Sequence, residues 1–197
     1  MRFHDALDPL LGSPTKLRLL RTMFGAPDQR WTGRELARTA RVSVAQAARE
    51  LSELADTSLV DREVVGRSYS WQLNRRHVFW PVLADLFHHE SSLRSVLVRE
   101  LSDGLRLAGI ERARLFGSIP RGEERDDSDI DLFLEVRAAG GRARAAEAVD
   151  RLRSDLWNRY GNPVSALIYS RAEVARPRNP ALLKSIEEDG MSVIGVD

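Results

Sequence analysis

The chain has 197 residues, 43% of them hydrophobic and 30% charged, which allows one large domain or two small ones and excludes a disordered tail. Thirty basic against 29 acidic residues leave a formal net charge of +1, so the whole molecule makes no electrostatic case for a polyanion partner. No cysteine is present, which excludes disulfides, thiolate zinc sites and cysteine nucleophiles and suits a reducing cytoplasm. No apolar run approaches the ~18 residues of a membrane helix, and Met1-Arg2-Phe3-His4-Asp5 lacks a signal-peptide core, so a soluble cytoplasmic protein with no membrane partner is expected.

The even balance hides an asymmetry. Residues 1–77 carry 13 Lys/Arg and 9 Asp/Glu, while residues 109–197 carry 14 and 16. A mildly basic first part and an acid-clustered second part predict two domains with different partners.

In chain order, Ser13-Pro14 opens a helix, and Leu17, Leu20, Met23 and Phe24 recur at helical spacing. Thr32-Gly33-Arg34-Glu35 is a capping box for a second helix, and Ser43 with Gln46 is a similar start for a third, whose inner face is Ala47, Leu51 and Leu54. Leu59–Val65 and Ser68–Leu73 read as two strands joined by Gly66-Arg67. Two capped helices across a short turn, followed by a hairpin, make a helix-turn-helix with a wing.

The segment 8–77 resembles the winged helix-turn-helix domains of bacterial regulators of the ArsR and MarR type. The resemblance implies double-stranded DNA as a partner, with the third helix in the major groove. Ser43, Gln46 and Arg49 lie off the apolar face and are the candidate base readers. Arg41, Arg62 and the wing-tip Arg67 are candidates for phosphate or minor-groove contact. The alternatives are that Gln46 merely closes its cap, that the arginines are merely solvated, and that the winged helix serves dimerisation or protein contacts. Glu50 and Glu53, on the same helix, are expected to repel phosphate.

His77–Ile110 reads as helical, with Phe79, Trp80, Val82, Leu83, Leu86 and Phe87 forming a stripe too broad for one surface helix. Leu93, Val96, Leu97, Leu101, Leu105 and Leu107 continue it. Residues 78–108 are therefore expected to be a connector that also pairs two subunits. Adjacent His88 and His89 diverge by about 100° on a helix and make a poor metal pair.

Ala113–Phe116 reads as a strand, Gly117-Ser118 as a tight strand-to-helix turn, and Ile130, Leu132 and Leu134 alternate with Asp129, Asp131 and Phe133 along a second strand. Period-two alternation sets Asp129 and Asp131 on one face, where two carboxylates can share magnesium or manganese bound to a nucleotide's phosphates. A calcium loop over Asp127, Asp129 and Asp131 fails, because Leu132 takes the place of the required Gly and Ala138 that of the bidentate Glu. Glu123, Glu124, Asp126 and Asp127 read as a solvated loop. For Asp129 and Asp131 the bland alternative is a pair of exposed acids on an edge strand.

Gly117-Ser118, Arg121-Gly122 and Ser128-Asp129-Ile130-Asp131-Leu132, in that order, resemble the polymerase-β nucleotidyltransferase superfamily in its minimal branch. The resemblance covers about 109–197, with helix 143–160, strand 164–169, helix 181–189 and an extended end 192–196. It implies a small mixed sheet packed on helices. The fold class is thus α+β, with domains 1–77, 78–108 and 109–197. The resemblance also implies a nucleoside triphosphate held by Gly117, Ser118, Arg121 and Gly122. Asp129 and Asp131 are then the metal-binding and catalytic acids.

One departure stands out. The superfamily's third carboxylate on a later strand is replaced by Ser165, and Glu173 lies beyond that strand. Phosphate holding survives this loss, but activation of an acceptor hydroxyl is endangered. Two functions follow: a DNA-binding regulator carrying a magnesium-nucleotide site, or a nucleotidyltransferase acting on a protein or small-molecule hydroxyl, with an antitoxin among its forms.

Overall fold

The computed structural model describes residues 5–106, 108–125 and 127–195; Leu107, Asp126 and Val196, named above, lie outside the described residues. The chain forms two compact units, Met1–Ser92 and Leu93–Asp197.

In the first unit α1 (Asp8–Leu11) precedes α2 (Pro14–Gly25), whose start is capped by the Ser13 hydroxyl accepting from the Lys16 amide at 3.1 Å. The short β1 (Trp31–Thr32) leads into α3 (Gly33–Thr39), and α4 (Val44–Asp56) follows a four-residue turn. Both capping boxes form as read, Thr32 with Glu35 and Ser43 with Gln46. β2 (Val60–Val65) and β3 (Ser68–Leu73) pair antiparallel about Gly66, with β1 on the far side of β3. Leu19, Leu20, Leu36, Ala47, Leu51, Leu54, Leu59 and Trp71 close one apolar core beneath this arrangement. Three helices and a hairpin over that core are a winged helix-turn-helix.

The connector is one long helix, α5 (Trp80–Leu105). Its breadth of apolar residues has a physical reason: Leu83 and Phe87 enter the first core, while Leu97, Leu101 and Leu105 enter the second. Val82, Leu86 and Leu93 remain exposed.

The second unit continues with β4 (Ile110–Phe116), the one-turn α6 (Ser118–Arg121), β5 (Ile130–Val136), α7 (Arg142–Tyr160), β6 (Val164–Ser170), α8 (Arg171–Ala175), α9 (Pro180–Asp189) and β7 (Met191–Ile194). β4 begins three residues earlier than its apolar pattern indicated, because a register shift between Ile110 and Arg112 keeps the strand paired through a local irregularity. The sheet order is β6-β5-β4-β7, with only β5 and β6 parallel, joined by α7. Leu132 and Leu134 of β5 pack with Leu101, Leu105, Leu152 and Leu156, whereas Phe133 packs on Leu183 and Ile186. The sheet is therefore covered on both faces, and the architecture is the expected α+β. Odd-numbered residues of β5 face α9, so Asp131 opens that face at the start of the strand.

Candidate nucleotide site and DNA-facing helix

The second unit gathers its polar residues where β4 ends and β5 begins. Phe116 pairs with Asp131, so the chain leaves β4 directly beside that carboxylate. Gly117 turns it with φ +84°, a conformation that favours glycine. A Cβ there would run into Asp131 Oδ2, with Cγ only 3.3 Å away. The turn thus brings bare backbone against a carboxylate, in a backbone conformation that residues with a side chain rarely adopt.

Ser118 opens α6, and Gly122 ends it with φ +68°. Pro120 sits third in α6, where its missing amide is an orphan in any helix. Arg121 is exposed, and its Nε donates to Glu123 Oε2 at 2.8 Å. That bond raises the guanidinium's pKa first, and the charges of Asp189 and Asp131 add to it.

Asp129 is exposed and stands one residue ahead of β5 rather than on it. The loop holding it is closed by the Ser128 hydroxyl, which accepts from the Arg125 amide at 2.8 Å. Asn162 Nδ2 donates to the Ser128 carbonyl at 2.8 Å, and the Ile130 amide donates to the Pro163 carbonyl at 2.8 Å. Asn162 is a positioning residue that motif reading passed over. Its signal is an amide side chain just before a parallel strand, which registers only once β5 and β6 are paired.

Burial pushes the Asp131 carboxyl above its ordinary pKa, and the negative charge of Asp129 pushes it further; Arg121 opposes both without prevailing. Two acids thus lie close enough for the charge of one to disfavour the ionised form of the other. Asp131 pairs in register with Ser165, which confirms that a hydroxyl occupies the strand position beside it. No group of three metal-ligating side chains occurs among the described residues. A divalent ion would have Asp129 and Asp131 from the protein and must complete its shell with phosphate oxygens and water.

Glu173 does not come to this site. It accepts from the Ser170 amide and hydroxyl in the α8 capping box and pairs with Arg142. Ser170 lies opposite Val136, five register positions past Ser165, or about 16 Å at strand rise.

In the first unit Ser43, Gln46 and Arg49 are exposed on α4, away from buried Ala47, Leu51 and Leu54. The Gln46 side-chain oxygen accepts from the Ser43 hydroxyl at 3.0 Å, so its cap is closed and only its amide nitrogen remains to reach outward. Arg41 is exposed with φ +54°, and the exposed Arg62 lies over the Tyr69 ring at 5.1 Å. Arg67 is exposed beside Gly66 at the wing tip. The expectation that both helix acids repel phosphate is corrected for Glu50, which is buried and paired with Lys16 and Arg49; Glu53, half exposed, pairs with the same Lys16 at 2.6 Å. His88 and His89 are adjacent and exposed on α5.

Residues 98–179 match the family model of the nucleotidyltransferase domain. A Methanocaldococcus jannaschii protein, named provisionally as a protein adenylyltransferase, is 34% identical over 62 residues, or 32% of this chain. The matched stretch is 62% of that relative's length, so the chain spans less than two thirds of it. Among solved structures, a MarR family transcriptional regulator from Silicibacter pomeroyi has 24% identity and a TM-score of 0.32, covering 46% of this chain and 63% of that one. Lactococcus lactis ZitR has 20% identity and a TM-score of 0.35, covering 49% and 80%. The first unit thus has a winged helix-turn-helix fold, and the match to the nucleotidyltransferase domain model falls in the second unit and the helix leading into it. No helix among the described residues is long and apolar enough to cross a membrane.

Proposed function

We propose that the protein is a DNA-binding regulator whose nucleotidyltransferase domain binds a nucleoside triphosphate as its magnesium or manganese complex. The observation that carries the nucleotide half is the apposition of Gly117 to Asp131. The turn leaves room for nothing but backbone beside a carboxylate that burial and Asp129 both disfavour. Gly117 and Ser118 amides, with Arg121 and Gly122, would hold the phosphates, and Asp129 and Asp131 would hold the ion. The ion, when bound, neutralises the triphosphate and polarises its phosphorus centres. On the DNA side, Ser43, Gln46 and Arg49 would face base edges, with Arg41, Arg62 and Arg67 on the backbone or minor groove. Exposed Val82, Leu86 and Leu93 of α5 support pairing of two copies on an inverted repeat.

A second reading, transfer of a nucleotidyl group to a protein hydroxyl, draws support from the similarity to a provisionally named protein adenylyltransferase. Such a step joins the acceptor oxygen to the α-phosphorus, releases pyrophosphate and requires something to take the hydroxyl proton. Ser165 is no base at neutral pH. The third carboxylate's share of that work is missing beside Asp131, so transfer is expected to be slow. An antitoxin acting on a partner protein is one form of this reading.

The test incubates the full chain with labelled nucleoside triphosphates, magnesium and a cell lysate. Metal-dependent retention of nucleotide without label transfer is the result expected of the regulator. Rapid labelling of one acceptor, lost in Asp129→Asn, would establish the transferase instead.

A further inference from the structure

The recognition helix carries a buried acid one residue from its candidate base reader. Glu50 is 3% exposed, while the side chain of neighbouring Arg49 is 69% exposed. Consecutive residues on a helix point about 100° apart, so a buried and an exposed neighbour are ordinary. The link between them is not. Arg49 Nη2 reaches back to Glu50 Oε1 at 2.9 Å, while Glu50 Oε2 faces Lys16 Nζ of α2 at 3.5 Å. The Ser13 hydroxyl, whose bond from the Lys16 amide caps α2, lies near enough to help lower the Glu50 pKa. Lys16 is itself buried and has a second partner in Glu53 Oε2 at 2.6 Å.

Burial alone would raise the Glu50 pKa, but the Arg49 bond, the Lys16 charge and the Ser13 hydroxyl outweigh burial and lower it. Lys16 holds Glu50 from within as an ion pair. Arg49 is the additional partner, arriving from the solvent side. A guanidinium has five N–H donors in a rigid plane, and one bond to a fixed carboxylate leaves donors free while restricting the plane. Reading guanine through O6 and N7 depends on that plane, because both bonds must form together. By contrast, Gln46 on the same face has its oxygen committed to the Ser43 cap and no tie to the interior.

We propose that Glu50 is a positioning residue that orients Arg49 for base reading, with Lys16 of α2 holding Glu50 from within. The proposal rests on the DNA-binding reading above. It assigns the recognition helix a buried anchor and makes the α2–α4 contact part of sequence discrimination.

The experiment selects a preferred duplex for the full wild-type chain from a random-sequence pool. It then measures affinity for that duplex, for its single guanine-to-adenine variants and for an unselected duplex. Glu50→Gln keeps the side chain's size, and Lys16 retains Glu53, so the buried amine is not orphaned. Glu50→Asp keeps the buried charge but withdraws it from Arg49 by one methylene. Both are expected to lose about tenfold discrimination at one guanine, the share of a single bidentate contact, with affinity for the unselected duplex unchanged. Arg49→Ala should lose the same discrimination, and Glu50→Asp added to it should lose no more. Full discrimination in a folded Glu50→Asp, or an equal further loss in the Arg49→Ala background, would overturn the proposal. So would an Arg49→Ala that still discriminates. Absence of duplex binding by the wild type would instead remove the DNA-binding reading itself.

Discussion

Glu50 and Asp131 are both acids set against the protein interior, and the fold treats them in opposite ways. Around Glu50 the chain places Arg49, Lys16 and the Ser13 hydroxyl, and the carboxyl's pKa falls in spite of burial. Around Asp131 it places a second acid, a glycine turn and a serine, and the pKa rises, with Arg121 the one opposing charge named among the described residues. A satisfied acid locks two helices together. The other lies beside a positive-φ glycine and a second acid, where its charged form is disfavoured. The contrast is between an acid set among bases and an acid set beside an acid.

The severest way to break the comparison is Gly117→Ala. The new methyl group meets Asp131 in a left-handed backbone conformation, and the second unit should lose about 3 kcal/mol together with its nucleotide binding. Urea unfolding and a magnesium-triphosphate titration read the two effects separately, and full nucleotide affinity in this variant would show that the turn does not face the ligand.

Asp131→Asn should abolish metal-dependent nucleotide binding while raising the melting temperature of the ligand-free protein. The gain is under about 1 kcal/mol, because solvent screens the Asp129 charge. A fall in melting temperature would mean that Asp131 is satisfied after all. Asp129 is exposed, so Asp129→Asn should cost nucleotide affinity with almost no change in melting.

Ser165→Asp sharpens the contrast by restoring a third acid in register with Asp131. The ligand-free protein should be less stable, the metal should bind more tightly, and pyrophosphate release in the presence of an acceptor should increase. Brisk release by the wild type, unimproved by this change, would show that a proton acceptor comes from another part of the protein.

The smallest effect is on acid stability. The Ser170 amide and hydroxyl, and then Arg142, hold Glu173 down to about 2. A lowered acid contributes stability that is complete above its unfolded pKa and is lost as pH falls toward the folded one. The α8 cap should therefore weaken between about pH 4.5 and 2. Glu50 acts in the same direction, whereas ionised Asp131 costs stability that acidification returns. Glu173→Gln should flatten the acid limb of a thermal melt series slightly, and an unchanged limb would mean that the cap contributes nothing.

Local features were legible without coordinates. A capping box depends on residues three apart, so Thr32 with Glu35 and Ser43 with Gln46 could be read directly. The Gly117-Ser118 turn and the wing about Gly66 were legible for the same reason, since backbone permissiveness belongs to the residue itself. Glu50 was misread as a repelling surface acid because its partner Lys16 lies on another helix. Glu173 follows the strand of Ser165 closely in sequence, and chain distance hides that it closes the far end of β6.

Amino-acid order alone determined the element types, the two cores' apolar stripes and the Asp129–Asp131 pair, because periodicity and capping act over a few residues. Tertiary structure alone decided what each charge meets. Strand register set Ser165 beside Asp131 and Phe116 at the turn, and helix packing sank Glu50 between Lys16 and Arg49. Electrostatic energy depends on distance and solvent exposure rather than on separation along the chain, so only the folded arrangement distinguishes an acid paired with bases from an acid set beside another acid.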